Sequence, residues 1–374
     1  MTKESIKTLF VSTSYPRDAT DWKGQFIRHL LFSLAEHKEL HINAWLPPGD
    51  IPPNVHYCAS EIESTWLKTM LNSGGIANIV RNRPIRGTLT GLKLIRLLRN
   101  ARLRNSNVDL AHINWLQNAL PFWGTRLPLV ISVLGSDFAL LNLPGMVKIL
   151  RQVFLNRKVI ICPNATWMVA KLSDYFSDVA TIRYIPLGID RHWFDVNPQP
   201  PSDQARKWLV ILRVTEKKIG NLFDWGKNIF GKEDELHLFG PMQEDVQIPA
   251  WVKYHGPTHP NELINVWFPQ AAGVISLSEH DEGRPQILLE AMASSLPVIA
   301  STISAHKDII TDKQTGLLVD SKETFEKAIP WLLSDNNSKL ITTKAKSWIK
   351  KEIGTWDNCA QRYIDTYQKI LGDL

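Results

Sequence analysis

Along the chain, short apolar runs rich in β-branched residues alternate with longer stretches whose apolar positions recur every three to four residues. The first kind reads as a buried strand and the second as an amphipathic helix. Strands are predicted at Thr8–Ser12, His41–Leu46, Val108–Ile113, Leu129–Val133, Val159–Cys162 and Tyr184–Pro186. The alternation stops at "DVNPQPPSDQ", Asp195 to Gln204, where prolines and polar residues replace any period. It resumes with Trp208–Leu212, Glu235–Phe239, Val252–His255, Gly273–Leu277, Pro297–Ala300 and Gly316–Val319. Apolar strands separated by helices are the pattern of a parallel sheet covered on both faces. The expected fold class is therefore α/β, with two Rossmann-like doubly wound domains facing a cleft. Their predicted bounds are 1–194 and 207–352, with a linker at 195–206 and a further helix over 353–374.

Length agrees, since 374 residues suggest two domains of ordinary size. The apolar stretch in "MTKESIKTLFVSTSYP" is too short for a signal-peptide core, and no apolar run reaches about 18 residues. A cytoplasmic protein without a transmembrane anchor is expected. Cys58, Cys162 and Cys359 are odd in number and widely spaced, which suggests neither a disulfide framework nor a zinc site. The histidines show no metal-ligand spacing, and no D-x-D pair follows a strand, so no metal and no cofactor are expected.

The candidate chemistry lies in "SEHDEGRPQILLEAMASSLPVIA", Ser278 to Ala300. Here Ser278–Gly283 is the loop at the carboxyl end of a predicted strand, and Pro285 suits the first turn of the helix that follows. In open α/β sheets, ligands bind outside the carboxyl ends of the strands. Backbone N–H groups around Gly283, Gln286 and Ile287, at the positive end of that helix, suit a diphosphate. Glu290 falls one turn beyond Gln286 on the same face. A carboxylate among Leu288, Leu289, Ala291 and Met292 needs a polar partner, and a ribose diol offers it two hydrogen bonds. Glu282 fits either a ligand contact or a solvated residue favoured by the helix dipole.

These residues carry a resemblance. "EGRPQILLEAMASSLPVIAS" resembles the E-x7-E signature, commonly EGFPxxxLEAMAxGxPV, of the retaining GT-B glycosyltransferases often called family four. "SYPRDATDWKGQFIRHL", "YIPLGID", "KYHGP" and "GTWDNCAQRYIDTYQKIL" are similar to four further stretches of that family, in its order. The resemblance implies a metal-independent transfer of a sugar from a nucleotide-sugar donor, with retention. Glu282 then contacts sugar hydroxyls, and Glu290 holds the ribose. Arg213 and Lys218 match the family's basic pair on the donor diphosphate, with Lys217 as the fallback. Two fixed cations there stabilise the charge left on the departing diphosphate. Gly24, Gly256, Gly283, Arg284, Gln286 and Ile287 complete the implied donor site. The last helix is implied to cross back to the first domain.

On the acceptor side the implied positions are His112, Leu134 and Asp137. Leu134 stands where the family commonly has a histidine near the sugar's 6-hydroxyl, so a 6-deoxy sugar or a pentose is expected as donor. Asp308 and His306 lie in a segment where the family has G-x-x-E.

Between Ser64 and Val108 no acidic residue occurs, and "TGLKLIRLLRNARLR" outlines a basic amphipathic helix. Lys93, Arg96, Arg99 and Arg102 are expected to face an anionic inner-membrane surface. A helix packed on the core with a solvated basic side fits the same pattern. No nucleic-acid recognition module is visible. The expected partners are a nucleotide-sugar donor and a glycan or lipid-linked acceptor in cell-surface polysaccharide synthesis. The alternatives are a nucleotide-sugar 2-epimerase and a non-catalytic nucleotide-sugar binding or scaffold protein.

Overall fold

The structure, a computed structural model, describes residues 5–18, 21, 24–74, 84–135, 137–201, 203–280 and 283–372. The chain forms two compact units: 1–187 together with 356–374, and 188–355. Each is built on a parallel sheet flanked by helices.

In unit 1 the strands are β1 (Ile6–Val11), β2 (Leu40–Trp45), β3 (His56–Tyr57), β4 (Leu110–Asn114), β5 (Leu129–Val133), β6 (Val159–Pro163) and β7 (Thr181–Ile182), in the order β3-β2-β1-β4-β5-β6-β7. In unit 2 they are β8 (Arg206–Ile211), β9 (Asp234–Phe239), β10 (Val252–Gly256), β11 (Ala271–Ser276), β12 (Val298–Ser301) and β13 (Leu317–Val319), in the order β10-β9-β8-β11-β12-β13. Strand order reverses between β1 and β4 in unit 1, and between β8 and β11 in unit 2. Those two switch points are where such sheets leave a crevice.

β4, β5 and β6 are buried along their whole length. Helices on both faces leave them no wet side, which is why they read as largely apolar runs rather than alternating ones, with His112, Asn114 and Ser132 hydrogen-bonded inside. Two details differ from the sequence expectation. The two-residue β3 is too short to carry a pattern. The segment predicted at Tyr184–Pro186 runs beside β6 without forming a strand; β7 lies earlier, at Thr181–Ile182. Arg183 and Ile185 still donate to the carbonyls of Ile161 and Pro163, but Pro163 and Pro186 have no N–H to continue the ladder.

The boundary also falls earlier than the proline-rich linker. Ile189, Trp193 and Val196 are buried in the core of unit 2, and the Gln199 amide donates to the Pro269 carbonyl. Residues 188–194, expected in the first domain, and 195–206, expected as the linker, are therefore part of unit 2.

The chain returns to unit 1 for its last helix, Trp356–Gly372. Trp356, Cys359, Ala360, Tyr363, Ile364, Tyr367 and Ile370 form one buried stripe at helical spacing, packed with Phe10, Leu30, Leu34, Val130 and Ile160. Each large apolar side chain in it contributes about 1.5–3 kcal/mol by leaving water.

Candidate active site

In unit 2 the switch point between β8 and β11 opens into a cavity of about 190 Å³, lined by Ile211, Leu212, Lys218, Ser276, Ser278, Pro285, Gln286 and Ile287. Three pieces of chain meet there: the loop after β8, the end of β11, and the start of the helix Gln286–Ala293. Pro285 is the N-cap of that helix, and no side chain caps it. Its first amides and the positive end of its dipole thus lie at a cavity that Lys218 also lines.

Lys218 is placed by a short helix, Glu216–Ile219, whose N-cap Thr215 hydroxyl accepts from the Lys218 amide. Arg213 precedes it on the same loop and is exposed, as is Lys217. The basic pair therefore divides into a cation in the cavity wall and one outside it.

Glu290 lies one turn into the helix. It keeps some accessible surface, but protein surrounds its carboxyl, and burial, with the Asp190 carboxylate adding, pushes its pKa up to about 8. At neutral pH this group is chiefly a neutral acid. Gln286 at the helix start donates through Nε2 to the Gly188 carbonyl at 2.7 Å, so its side chain is tied to the chain entering unit 2. Gly283 is buried next to this turn. Glu282 lies outside the described residues.

Arg284 requires a correction. Expected to contact the donor, its guanidinium instead pairs with the Asp308 carboxylate, and both side chains are 1% exposed. A cation neutralised in that way adds little field to the cavity. Gly256 ends β10, at the sheet edge two strands from β8; its carbonyl accepts from the Gly240 amide.

Sequence reasoning passed over Ser276 and Ser278. They flank Leu277 at the carboxyl end of β11, and a period of two puts both on one side of the strand. That spacing was a usable signal. Asp190 carried none, because its proximity to Glu290 is a tertiary contact.

In unit 1, Gly24 caps the helix Gln25–Ala35 with φ +73°, and a Cβ there would stand 2.9 Å from Ser14 Oγ. That close approach to the loop after β1 requires glycine. His112, expected on the acceptor side, is instead fully buried under the last helix. Its Nδ1 meets Tyr367 Oη at 2.5 Å and its Nε2 meets Ser132 Oγ at 2.8 Å, while Ser132 Oγ also meets Tyr363 Oη at 2.6 Å. Burial pushes the imidazole pKa down to about 3. Both ring nitrogens are occupied, so it offers nothing to an acceptor.

Asp137 is likewise an internal group. It accepts from the amides of Leu116, Leu134 and Gly135, each at 3.0 Å, and burial outweighs those bonds to push its carboxyl up to about 6. Leu134 is half-buried at the end of β5 against the core.

The basic stretch forms the helix Pro84–Arg104. Leu94, Leu98 and Ala101 pack into the core. Lys93, Arg96 and Arg99 are exposed, and Lys93 Nζ lies 5.8 Å from the Trp66 ring centroid. Arg102 departs from the expectation: it follows Leu98 by four residues, at the border of the buried stripe, and is half-buried. Among the described residues no helix is long and apolar enough to cross a membrane, and no cluster of three or more His, Cys, Asp or Glu is placed to hold a metal ion.

Residues 228–351 match the family described as Glycosyl transferases group 1. The match covers about a third of the chain. The group 1 stretch holds β11, the helix Gln286–Ala293 and Glu290, while Lys218 and Gly24 lie before it. A D-inositol 3-phosphate glycosyltransferase of Corynebacterium urealyticum is 26% identical over 131 residues, covering 34% of this chain and 30% of that protein. The chain thus matches less than a third of that relative's length. Whole-chain likeness is to solved structures at low identity. Sucrose-phosphate synthase from Thermosynechococcus elongatus superposes with a TM-score of 0.73 at 16% identity, over 99% of this chain and 100% of that one. Anabaena HepE in complex with UDP-glucose gives 0.65 at 13% identity, over 97% and 100%. These likenesses establish the GT-B fold.

Proposed function

We propose that this protein is a glycosyltransferase that moves a sugar from a nucleotide-sugar donor to a glycan or lipid-linked acceptor, with retention of configuration. The observation that supports it best is the unit 2 cavity, lined by Lys218 and by an uncapped helix start at the β8/β11 switch point. This is a site for a diphosphate. Glu290, a turn along the helix, suits the ribose, and Glu282 the sugar hydroxyls. The relative's printed activity agrees with sugar transfer, and the UDP-glucose bound to HepE with this choice of donor class.

In this reading the anomeric C–O bond to the diphosphate breaks and the acceptor oxygen bonds to the anomeric carbon from the same face. The acceptor's proton passes to a diphosphate oxygen. Charge accumulates on the diphosphate, and Lys218, with Arg213 on the same loop, stabilises that charge most when it is fully developed. No divalent ion takes part, so turnover should survive excess EDTA.

A bacterial cell-surface glycan assembled at the inner face of the cytoplasmic membrane suits unit 1. Near exposed Arg96 and Arg99, a hollow of about 470 Å³ is lined by Ile95, Arg99, Leu120, Pro121, Trp123 and Ile149. Trp123 is 54% exposed and Leu92 60%. Apolar side chains under a cationic rim favour an anionic lipid surface.

The test is a calorimetric screen of UDP-, GDP- and other nucleotide sugars, followed by product analysis with the donor that binds. A bound donor giving a transferred sugar of unchanged anomeric configuration is expected. No binding by any nucleotide sugar sinks the reading.

A further inference from the structure

The resembled motif carries an apolar aromatic where this chain has Arg284. The structure shows what the arginine meets: Asp308, at the C-cap of the helix Ser304–Lys307 in the loop after β12, with both side chains 1% exposed. Two further contacts run from the same segment to the cavity wall. Ser301 Oγ donates to the Ser278 carbonyl at 2.5 Å. His306, fully buried, places Nδ1 3.0 Å from the Ser301 carbonyl and Nε2 3.4 Å from Ser276 Oγ. The tautomer that satisfies both has its proton on Nδ1, leaving Nε2 to accept from the Ser276 hydroxyl. Ser276, Ser278 and Pro285 all line the cavity.

We propose that Arg284 and Asp308 are positioning residues: their buried ion pair, with His306 and Ser301, fixes the turn 283–285 and the end of β11 in the geometry that receives the donor. This deepens the donor-site reading above and rests on it. A buried ion pair is a poor device for stability, because two desolvated charges recover little more than an apolar pair of the same volume would give. What the planar guanidinium adds is direction. Arg284 lies one residue from the N-cap Pro285 and two from the first amides of the helix Gln286–Ala293. A shift of about 1 Å in such groups costs on the order of 10²-fold in rate.

The pair's effect on geometry separates from its effect on stability in four variants: Asp308→Asn, Arg284→Lys, Arg284→Met, and Arg284→Met with Asp308→Leu. The readouts are urea midpoint, calorimetric affinity for the nucleotide sugar found in the screen, kcat and KM, and hydrogen exchange of amides 276–287. Asp308→Asn and Arg284→Lys should stay folded, lose about 10-fold or more in donor affinity, and exchange faster across 276–287. The apolar double variant should recover the urea midpoint lost in Arg284→Met but not the donor affinity. Recovery of both together would mean that the pair serves only the fold, and the proposal fails. Unchanged exchange in Asp308→Asn overturns it equally, even if the wild type binds no nucleotide sugar, an outcome that condemns the donor reading instead.

Discussion

The amide of Glu279 donates to the carbonyl of Lys217 at 2.8 Å, joining the loop after β8 to the loop after β11. Gly220 sets how closely the two approach. It has φ +53°, and a Cβ there would stand 2.2 Å from the Leu277 carbonyl oxygen. Lys218 thus reaches the cavity from a loop held by its backbone, which reduces the reorganisation needed as charge develops.

That placement ranks the two cations. Lys218→Ala should lower kcat by about 10²-fold or more with a smaller change in donor affinity, because the lost interaction strengthens in the transition state. Arg213→Ala, removing an exposed cation on the same loop, should lower it less. Near-wild-type turnover of Lys218→Ala at saturating donor excludes the assignment.

If Glu290 holds the ribose as proposed, donor binding should depend on pH. Its folded pKa, raised to about 8 by burial and Asp190, leaves it protonated at neutrality, whereas ribose hydroxyls prefer to donate to the ionised form. Binding should release a proton below that pKa, so affinity for a nucleotide sugar should rise from about pH 6 to pH 8 and then level off. Calorimetry across that range checks it. Glu290→Gln should weaken binding and flatten the profile; an unchanged slope in that variant would assign the titration elsewhere. The same raised pKa makes its contribution to stability complete below the unfolded carboxyl value and lost as pH rises through about 8.

His112 acts with the opposite sign. Burial lowers its pKa to about 3, so its contribution to unit 1 is present above the unfolded imidazole value near 6.5 and lost as pH falls toward about 3. The urea unfolding free energy should drop through that window, by about 5 kcal/mol at most. His112→Gln, less stable at neutral pH, should show a shallower acid dependence, and a parallel profile would refute the role.

The proposed membrane docking should have two separable components. Binding to phosphatidylglycerol vesicles should weaken steeply as salt rises, because attraction by Arg96 and Arg99 is screened within about 8–10 Å. A remainder insensitive to salt should disappear on Trp123→Ser with Ile149→Ser, which removes the apolar part. Charge reversal at Arg96 and Arg99 should abolish the first component and spare nucleotide-sugar binding. Sedimentation that ignores all of these substitutions returns the helix Pro84–Arg104 to a simple core element.

Strand positions were legible wherever burial on both faces left an apolar run, as at Leu129–Val133, which the structure reproduces residue for residue. The boundary after Leu187 was not, because prolines and polar residues mark a connector whether or not Trp193 and Val196 between them are buried. In the site, the helix start at Gln286 followed from local pattern. The partners of Arg284, Glu290 and His112 did not. Asp308, Asp190 and Tyr367 reach them from elsewhere in the chain, and a single sequence records no such pairing. His112 and Asp137 look like reactive groups in sequence, and only their burial shows that each is spent on holding the fold.

Because unit 2 interrupts unit 1, the order of synthesis has a consequence for folding. During translation the first 187 residues emerge without the helix Trp356–Gly372 that belongs to them. Until it is made, the face that will meet Tyr363 and Tyr367 exposes the His112 ring and the Ser132 hydroxyl beside Phe10 and Val130. All of unit 2 leaves the ribosome during that interval and can fold first. That face of the first unit has no cover until the helix Trp356–Gly372 is made, so its closure waits on that helix.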